Sequence, residues 1–192
     1  NLAYVVTTAE DLQSLCHSQQ IAASPFFNIF SNFNLGPFKH EEAQELIAQP
    51  SEAAGHSLEP FVEEIFAFAC SLPFFLQSAS SVFFKILKNG RSKSRETIQE
   101  AKTLFLEEAE VHFKHLWEKL SPNEVALVRK IISGKKPKES EQYLANKLIK
   151  DAYLVEEKGR PVLFSRVFEE YLCSIPGQPG LVEKFMFWRR GR

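Results

Sequence analysis

Apolar positions recur at helical spacing through most of the 192-residue chain, and the breaks between those runs mark out its elements. From Pro60 to Ala69, residues Phe61, Ile65, Phe68 and Ala69 fall on one face while Glu63 and Glu64 point away, the pattern of an amphipathic helix. The stretch Ser71-Leu72-Pro73-Phe74-Phe75-Leu76-Gln77 interrupts it. Proline lacks an N–H and clashes with the turn before it, so it is excluded from helix interiors yet fits a first helical turn. One helix is therefore expected to end near Cys70 and another to start at Pro73, running through Val82, Phe83, Ile86 and Leu87 to a stop at Asn89-Gly90. Upstream, Ala43, Leu46 and Ile47 behind Glu41 and Glu42 predict a helix from Lys39 to Gln49, closed by Pro50. Past the basic linker Arg91–Arg95, the stripe Ile98, Ala101, Phe105, Ala109, His112 and Leu116 predicts a long helix over Glu96–Leu120. Four apolar-striped helices with short links make a small bundle.

The strongest local signal follows. Ser121-Pro122-Asn123-Glu124 combines an N-cap serine, a proline at the first helical position and a glutamate at the third, a capping box that starts a helix running to Ser133. Gly134-Lys135-Lys136-Pro137 breaks it, and Ser140–Asp151 predicts another helix with Tyr143, Leu144, Leu148 and Ile149 inward. Ala152–Glu156 and Pro161–Ser165 read as strands joined by the turn Glu157-Lys158-Gly159-Arg160, with a positive φ at the glycine. Arg166–Leu172 closes the series as a helix. Helix, turn, helix, hairpin, helix is the order of a winged helix, here over residues 121–174. At the other end, Leu2–Thr8 reads as a buried strand with nothing before it to pair with, so a piece of a longer protein is expected.

With 44% hydrophobic residues the chain can bury a real core, and its net charge of −1 provides no overall field for nucleic acid or an anionic membrane. Cys16, Cys70 and Cys173 lie far apart without metal or disulfide spacing, which together with the lack of a signal-peptide pattern predicts a reducing, cytoplasmic setting. Ile65–Phe84 carries no charge and is about as long as a spanning helix, roughly 20 residues. Ser71, Pro73, Gln77, Ser78, Ser80 and Ser81 interrupt it, so two packed helices are expected there and no membrane span.

Candidate chemistry is sparse. The sequence contains no G-x-x-x-x-G-K-[ST] phosphate loop, no apolar strand ending in paired acidic residues for magnesium, and no nucleophile elbow, so no catalytic residue is expected. Glu108, His112 and His115 have a spacing a metal could use, but no fourth ligand converges with them, and ordinary helix-surface roles are the expectation. In the segment with winged-helix order, Lys135, Lys136, Lys138, Lys147, Lys150, Lys158 and Arg160 are candidate phosphate contacts, with Asn146 and Gln142 as adenine readers if their helix enters a major groove. Glu139, Glu141, Asp151, Glu156 and Glu157 share those surfaces and weaken their field. A DNA-binding, regulator-like protein is thus the alternative reading. The tail Lys184-Phe185-Met186-Phe187-Trp188-Arg189-Arg190-Gly191-Arg192 reads as a docking extension.

In order and spacing, Ser24–Phe30, Leu35-Gly36-Pro37-Phe38 with Glu41-Glu42-Ala43 and Leu46-Ile47, Leu72–Gln77, His112-Phe113 with Leu116-Trp117, and Leu163-Phe164-Ser165 with Phe168 resemble the C-terminal portion of prokaryotic STAND-branch AAA+ P-loop ATPases. The resemblance implies a mainly α fold. Residues 1–38 would end the nucleotide-binding α/β core, contributing its last strand. Residues 39–120 would form a helical lid over the nucleotide, 121–174 a winged helix stacked on that lid, and 175–192 a C-terminal extension. It also places Thr7 and Thr8 near the γ-phosphate and Pro73 at the proline of a G-x-P motif that packs on the nucleotide, with Ser71 standing where the glycine would be. ATP or ADP with magnesium would be held by an N-terminal core not present in this sequence, and an effector or signalling protein would receive the switch. Within such proteins the winged helix serves as an intramolecular packing module, which the mixed charge here favours over DNA binding.

Overall fold

The computed structural model describes residues 5–7 and 36–175. Residues 1–35 and 36–192 are two compact units. Of the first, only Val5–Thr7 are described; they carry no strand, and Val5 and Val6 are 90% and 54% exposed. The buried strand expected over Leu2–Thr8 is thus not found at these three positions, where no described residue supplies the partner a strand needs. Thr8, Cys16, the segment Ser24–Phe30 and the aromatic-basic tail lie outside the described residues.

The second unit contains seven α-helices and one hairpin among its described residues: α1 (His40–Ala53), α2 (Val62–Ala69), α3 (Pro73–Lys88), α4 (Arg95–Glu118), α5 (Pro122–Ile132), α6 (Gln142–Lys150), β1 (Leu154–Glu157), β2 (Arg160–Leu163) and α7 (Arg166–Ser174). It is mainly helical, with a two-stranded antiparallel sheet. Pro73 opens α3 as the sequence predicts. Ser121 caps α5 through the reciprocal box with Glu124, whose carboxylate accepts from the Ser121 N–H at 2.8 Å.

Several expectations need correction, each for a local reason. Pro50 does not close α1, which continues to Ala53. The buried Ser51 hydroxyl donates to the Ala48 carbonyl at 2.8 Å and accepts from the Leu58 N–H at 3.1 Å, holding a turn that the proline ring would otherwise release. On α4 the buried stripe is Thr97, Ala101, Phe105, Ala109 and Phe113, so Phe113 rather than His112 faces inward. Ser94 caps that helix by accepting from Thr97 N–H at 3.1 Å. Tyr143 is not inward but 82% exposed. A 3₁₀ turn over Glu139–Glu141 precedes α6, whose buried residues are Ala145 and Leu148, and at about 100° per residue Tyr143 lies on the far side from Ala145. In the hairpin, Glu157 pairs directly with Arg160, leaving a two-residue turn in which both Lys158 (φ 51°) and Gly159 (φ 72°) are left-handed, the type I′ geometry that matches strand twist.

Residues 39–120 and 121–174 share one core. Phe75 of α3 stacks on Phe164 after β2 with ring centroids 5.5 Å apart, and Phe113 of α4 lies 4.9 Å from Phe168 of α7. Phe105, Phe113 and Phe168 are fully buried. Each such aromatic pair contributes about 0.5–1.5 kcal/mol beyond its buried area. Lys102 of α4 and Glu170 of α7 add an ion pair, and the Tyr153 hydroxyl donates to the Leu116 carbonyl at 3.1 Å.

Candidate functional site

The loop that Pro73 closes is the most elaborated feature of the unit. Helix α2 ends at Ala69, and Cys70 takes φ 52° and ψ −138°, a backbone region that glycine occupies readily and a side chain does not. Leu72 N–H reaches back to the Ala69 carbonyl at 3.4 Å, so Ala69–Leu72 forms a tight turn. The G-x-P resemblance puts the missing glycine at Ser71; the residue that adopts glycine-like backbone is its neighbour Cys70. Burial pushes the Cys70 thiol above its ordinary range, hydrogen bonds with Ser71 oppose the shift, and the Glu157 carboxylate adds to it.

Two further bonds hold this loop. Phe38 N–H donates to the Ser71 carbonyl at 2.9 Å. Ser165, 1% exposed, donates its hydroxyl to the Phe68 carbonyl and accepts from Phe168 N–H at 3.1 Å, capping α7 while it satisfies one of the end carbonyls of α2. Pro73 itself is exposed at the head of α3, where the first turn carries no acidic residue. Beside it Phe74, 46% exposed, lies against the His112 ring at 4.0 Å. Thr7 is exposed in the first unit.

Three of the candidate DNA contacts, Lys147, Asn146 and Gln142, are engaged by side-chain hydrogen bonds within the protein. Lys147 donates to Glu124 at 2.6 Å and lies 3.8 Å from Asp151; the Glu124 bond raises its pKa above the usual lysine value. Burial pushes the Glu124 carboxyl up, but the bonds from Lys147 and Ser121 outweigh it and leave the pKa below the ordinary range. Gln142 donates its amide to Asn146 at 3.1 Å, so the two base-reading candidates are bonded to each other. Lys135, Lys136, Lys138, Lys150, Lys158 and Arg160 are exposed. Glu141 accepts from Lys130 and from the Lys138 N–H, placing carboxylate within the same surface.

Glu108 accepts from Ser78 at 2.7 Å and Lys85 at 3.4 Å rather than joining His112 in a metal site. Among the described residues no group of three or more His, Cys, Asp or Glu side chains is arranged to hold a metal ion. No helix among them is long and apolar enough to cross a membrane.

Clefts lined by described residues open on the unit. One of about 360 Å³ lies between α1 and α3, walled by Leu46, Ile47, Pro50, Leu76 and Phe84. Another, of about 260 Å³, runs between the Cys70–Leu72 loop and β1, lined by Pro37, Cys70, Leu72, Ile149, Leu154 and Glu156 among others. Neither is lined by a Lys or Arg, so neither offers the cationic cradle that a di- or triphosphate requires.

Sequence reasoning missed Ser165, which it placed at a strand end. The signal was present as a serine three residues before Phe168 at the head of an apolar-striped helix, but its second bond, to Phe68, spans 97 residues and leaves no local trace.

No curated protein and no solved structure matches the chain. A family described as Novel STAND NTPase 2 matches residues 1–136, from the first unit through α5 to Lys136. With well over half of its length so covered, the chain belongs to the Novel STAND NTPase 2 family.

Proposed function

We propose that the chain is the regulatory portion of a STAND-type NTPase, in which α1–α4 act as the lid of a nucleotide site and α5–α7 with the hairpin act as a winged helix that relays the lid's position. The nucleotide, ATP or ADP with magnesium, is held by a phosphate-loop core outside this sequence. Pro73, exposed at the head of α3, packs against it. The receiver is an effector or signalling protein in the cytoplasm.

The observation that supports this reading is the bonding of the Cys70–Pro73 loop. The Ser165 hydroxyl, at the start of α7, meets the last turn of α2 two residues before Cys70, and Phe38 N–H meets Ser71. A displacement of Pro73 therefore reaches α7 through a hydrogen bond and through Phe75, whose ring stacks on Phe164. Nucleotide can shift such an equilibrium only by binding one arrangement better than the other. The lack of basic residues in either cleft agrees with phosphates being bound elsewhere.

The test is amide hydrogen exchange on the parent protein with its phosphate-loop core, in ADP and in a non-hydrolysable ATP analogue. The expected result is a change of protection in two separate stretches, residues 66–76 and 165–172, that Pro73→Ala reduces. Identical exchange of both stretches in the two nucleotides would refute the proposal.

A further inference from the structure

The 360 Å³ cleft between α1 and α3 is apolar inside and acidic along one rim. Leu46 stands at its lip, 37% exposed. At about 100° per residue, Glu42, Glu45 and Glu52 follow Leu46 within about 120° on the side turned away from the cleft, and all three are exposed. Helix α1 contains no Lys or Arg to offset them. Glu45 accepts from the neutral side-chain amide of Gln49 at 2.5 Å, so its charge is not balanced there. The α3 wall carries uncharged Gln77, Ser80 and Ser81 beside Phe84, and Lys85 of that helix is drawn to Glu108 on α4.

The segment that follows α7 has the complementary chemistry. Pro176, Gly177, Pro179 and Gly180 make a helix-breaking linker, Phe185-Met186-Phe187-Trp188 sets four apolar side chains in a row, and Arg189, Arg190 and Arg192 come after them. It is also long enough. Helix α7 packs on α4, α4 on α3 and α3 on α1, and at about 8–10 Å for each step roughly 30 Å separates α7 from α1. The residues between Ile175 and Trp188 extend to about 43 Å at ~3.3 Å each. The smaller cleft beside β1 is a poorer match, because Arg160 stands directly opposite Glu157 on that hairpin.

We propose that the α1–α3 cleft is the docking site of the chain's own segment Phe185–Arg192. Its aromatic side chains enter between Leu46 and Phe84, where the small Ser80 and Ser81 let the segment approach α3 closely. Its arginines meet Glu42, Glu45 and Glu52. The aromatic contacts supply most of the hold, and the exposed ion pairs, individually weak, set the direction in which the segment lies. The linker makes the docking intramolecular, so a partner that uses this cleft has to displace the segment at its high effective concentration. Docking involves no nucleotide, so it stands or falls apart from the switch reading above.

The test uses the full chain with the photo-reactive p-benzoylphenylalanine in place of Phe187, the cross-linked peptides being identified by mass spectrometry. The expected result is cross-linking within one molecule to residues 43–53 and 76–84. Ser81→Arg fills the exposed wall and repels the arginines, and should lower that yield about tenfold; an unchanged melting temperature confirms its fold. The chain has two tryptophans, so a Trp117→Phe background leaves Trp188 as the fluorescent reporter. Acrylamide should quench Trp188 there less than it quenches a free peptide of residues 181–192. Glu45→Lys, which reverses one exposed charge, should lower the ratio of docked to free segment about two- to fivefold by the same readout. Cross-links confined to other parts of the chain, residues 1–35 and the β1 cleft included, would overturn the proposal. So would cross-links only between molecules, a yield or quenching that the variants leave unchanged, or a Trp188 as open to quencher as the free peptide.

Discussion

Replacing Ser165 tests whether the two halves of the helical unit are joined by a specific bond or only by apolar packing. The hydroxyl does two things: it caps α7 through Phe168 N–H and donates to the Phe68 carbonyl. Phe68 lies in the last turn of α2, where no helical N–H follows to take its carbonyl, since Leu72 N–H goes to Ala69 instead. At 1% exposure Ser165 has no water to substitute for it. Ser165→Ala should cost about 1 kcal/mol for the cap. Leaving the Phe68 carbonyl unsatisfied adds roughly 1–3 kcal/mol, for a total of about 3. Set against a typical stability of about 5–15 kcal/mol, that is a large fraction. In urea, with a slope of about 2 kcal/mol/M, the midpoint should fall by about 1.5 M with the slope unchanged. Ser165→Gly separates the two roles, because glycine costs an N-cap only a few tenths of a kcal/mol. If the bond to Phe68 dominates, the glycine variant will lie within about 1 kcal/mol of the alanine variant. A glycine variant close to the native protein would show that Ser165 is only a cap, and the linkage reasoning would fail.

At Cys70, glycine should be tolerated or mildly stabilising in urea unfolding, because relief of a strained backbone worth about 1–3 kcal/mol offsets the loss of a partly buried thiol; Cys70→Val should be clearly destabilising, since a β-branched residue fits that φ worse. With its pKa raised by burial, Cys70 should react with iodoacetamide at neutral pH more slowly than a free thiol. Lys158→Asn should raise stability by about 0.5 kcal/mol in thermal melts, as asparagine suits the left-handed first position of a type I′ turn. Glu124 has a folded pKa below its unfolded value, so its contribution is present above the ordinary carboxylate range near pH 4.3 and is lost as pH falls through the lower folded pKa. Lys147 is the converse: its contribution is full below the ordinary lysine value near 10.4 and is lost as pH rises through the raised folded pKa. Glu124→Gln should therefore flatten the acid limb of the stability profile and diminish the alkaline one.

What the sequence made legible is what short-range chemistry decides. Pro73 as a helix start, the Ser121–Glu124 box and the hairpin turn at Gly159 each depend on residues within four positions of one another. Cys70, Tyr143 and Phe113 were misjudged or missed because their surroundings are set from afar. The orientation of α6 follows from a 3₁₀ turn at Glu139–Glu141 that no periodicity announces, and it puts Tyr143 in solvent. On α4 a spacing of four residues selects Phe113 over His112, because Phe75, Phe164 and Phe168 wait on that side. The basic candidates fared similarly: Lys147 reads as a phosphate contact in isolation, but its ammonium sits 2.6 Å from a glutamate that the same sequence had assigned to a cap.

Glu124 and Ser165 show why the helical unit holds as one piece although its local signals suggest two. Each is recognisable as part of a helix start, and each has a second partner outside its own helix: Lys147 on α6 for Glu124, and Phe68 on α2 for Ser165. A cap that serves only its own helix can be lost with local fraying. A cap bonded to another element couples the two helix ends, so that fraying α7 also releases the last turn of α2 and the strained residue Cys70 beyond it. Strain of that kind persists only where surrounding bonds over-determine the backbone. At Cys70 the bonds are those of Ser165 to Phe68, Phe38 to Ser71 and Leu72 to Ala69. Weakening the first should therefore relax Cys70 toward ordinary backbone angles, and the Cys70→Gly and Ser165→Ala effects on stability should be non-additive when combined.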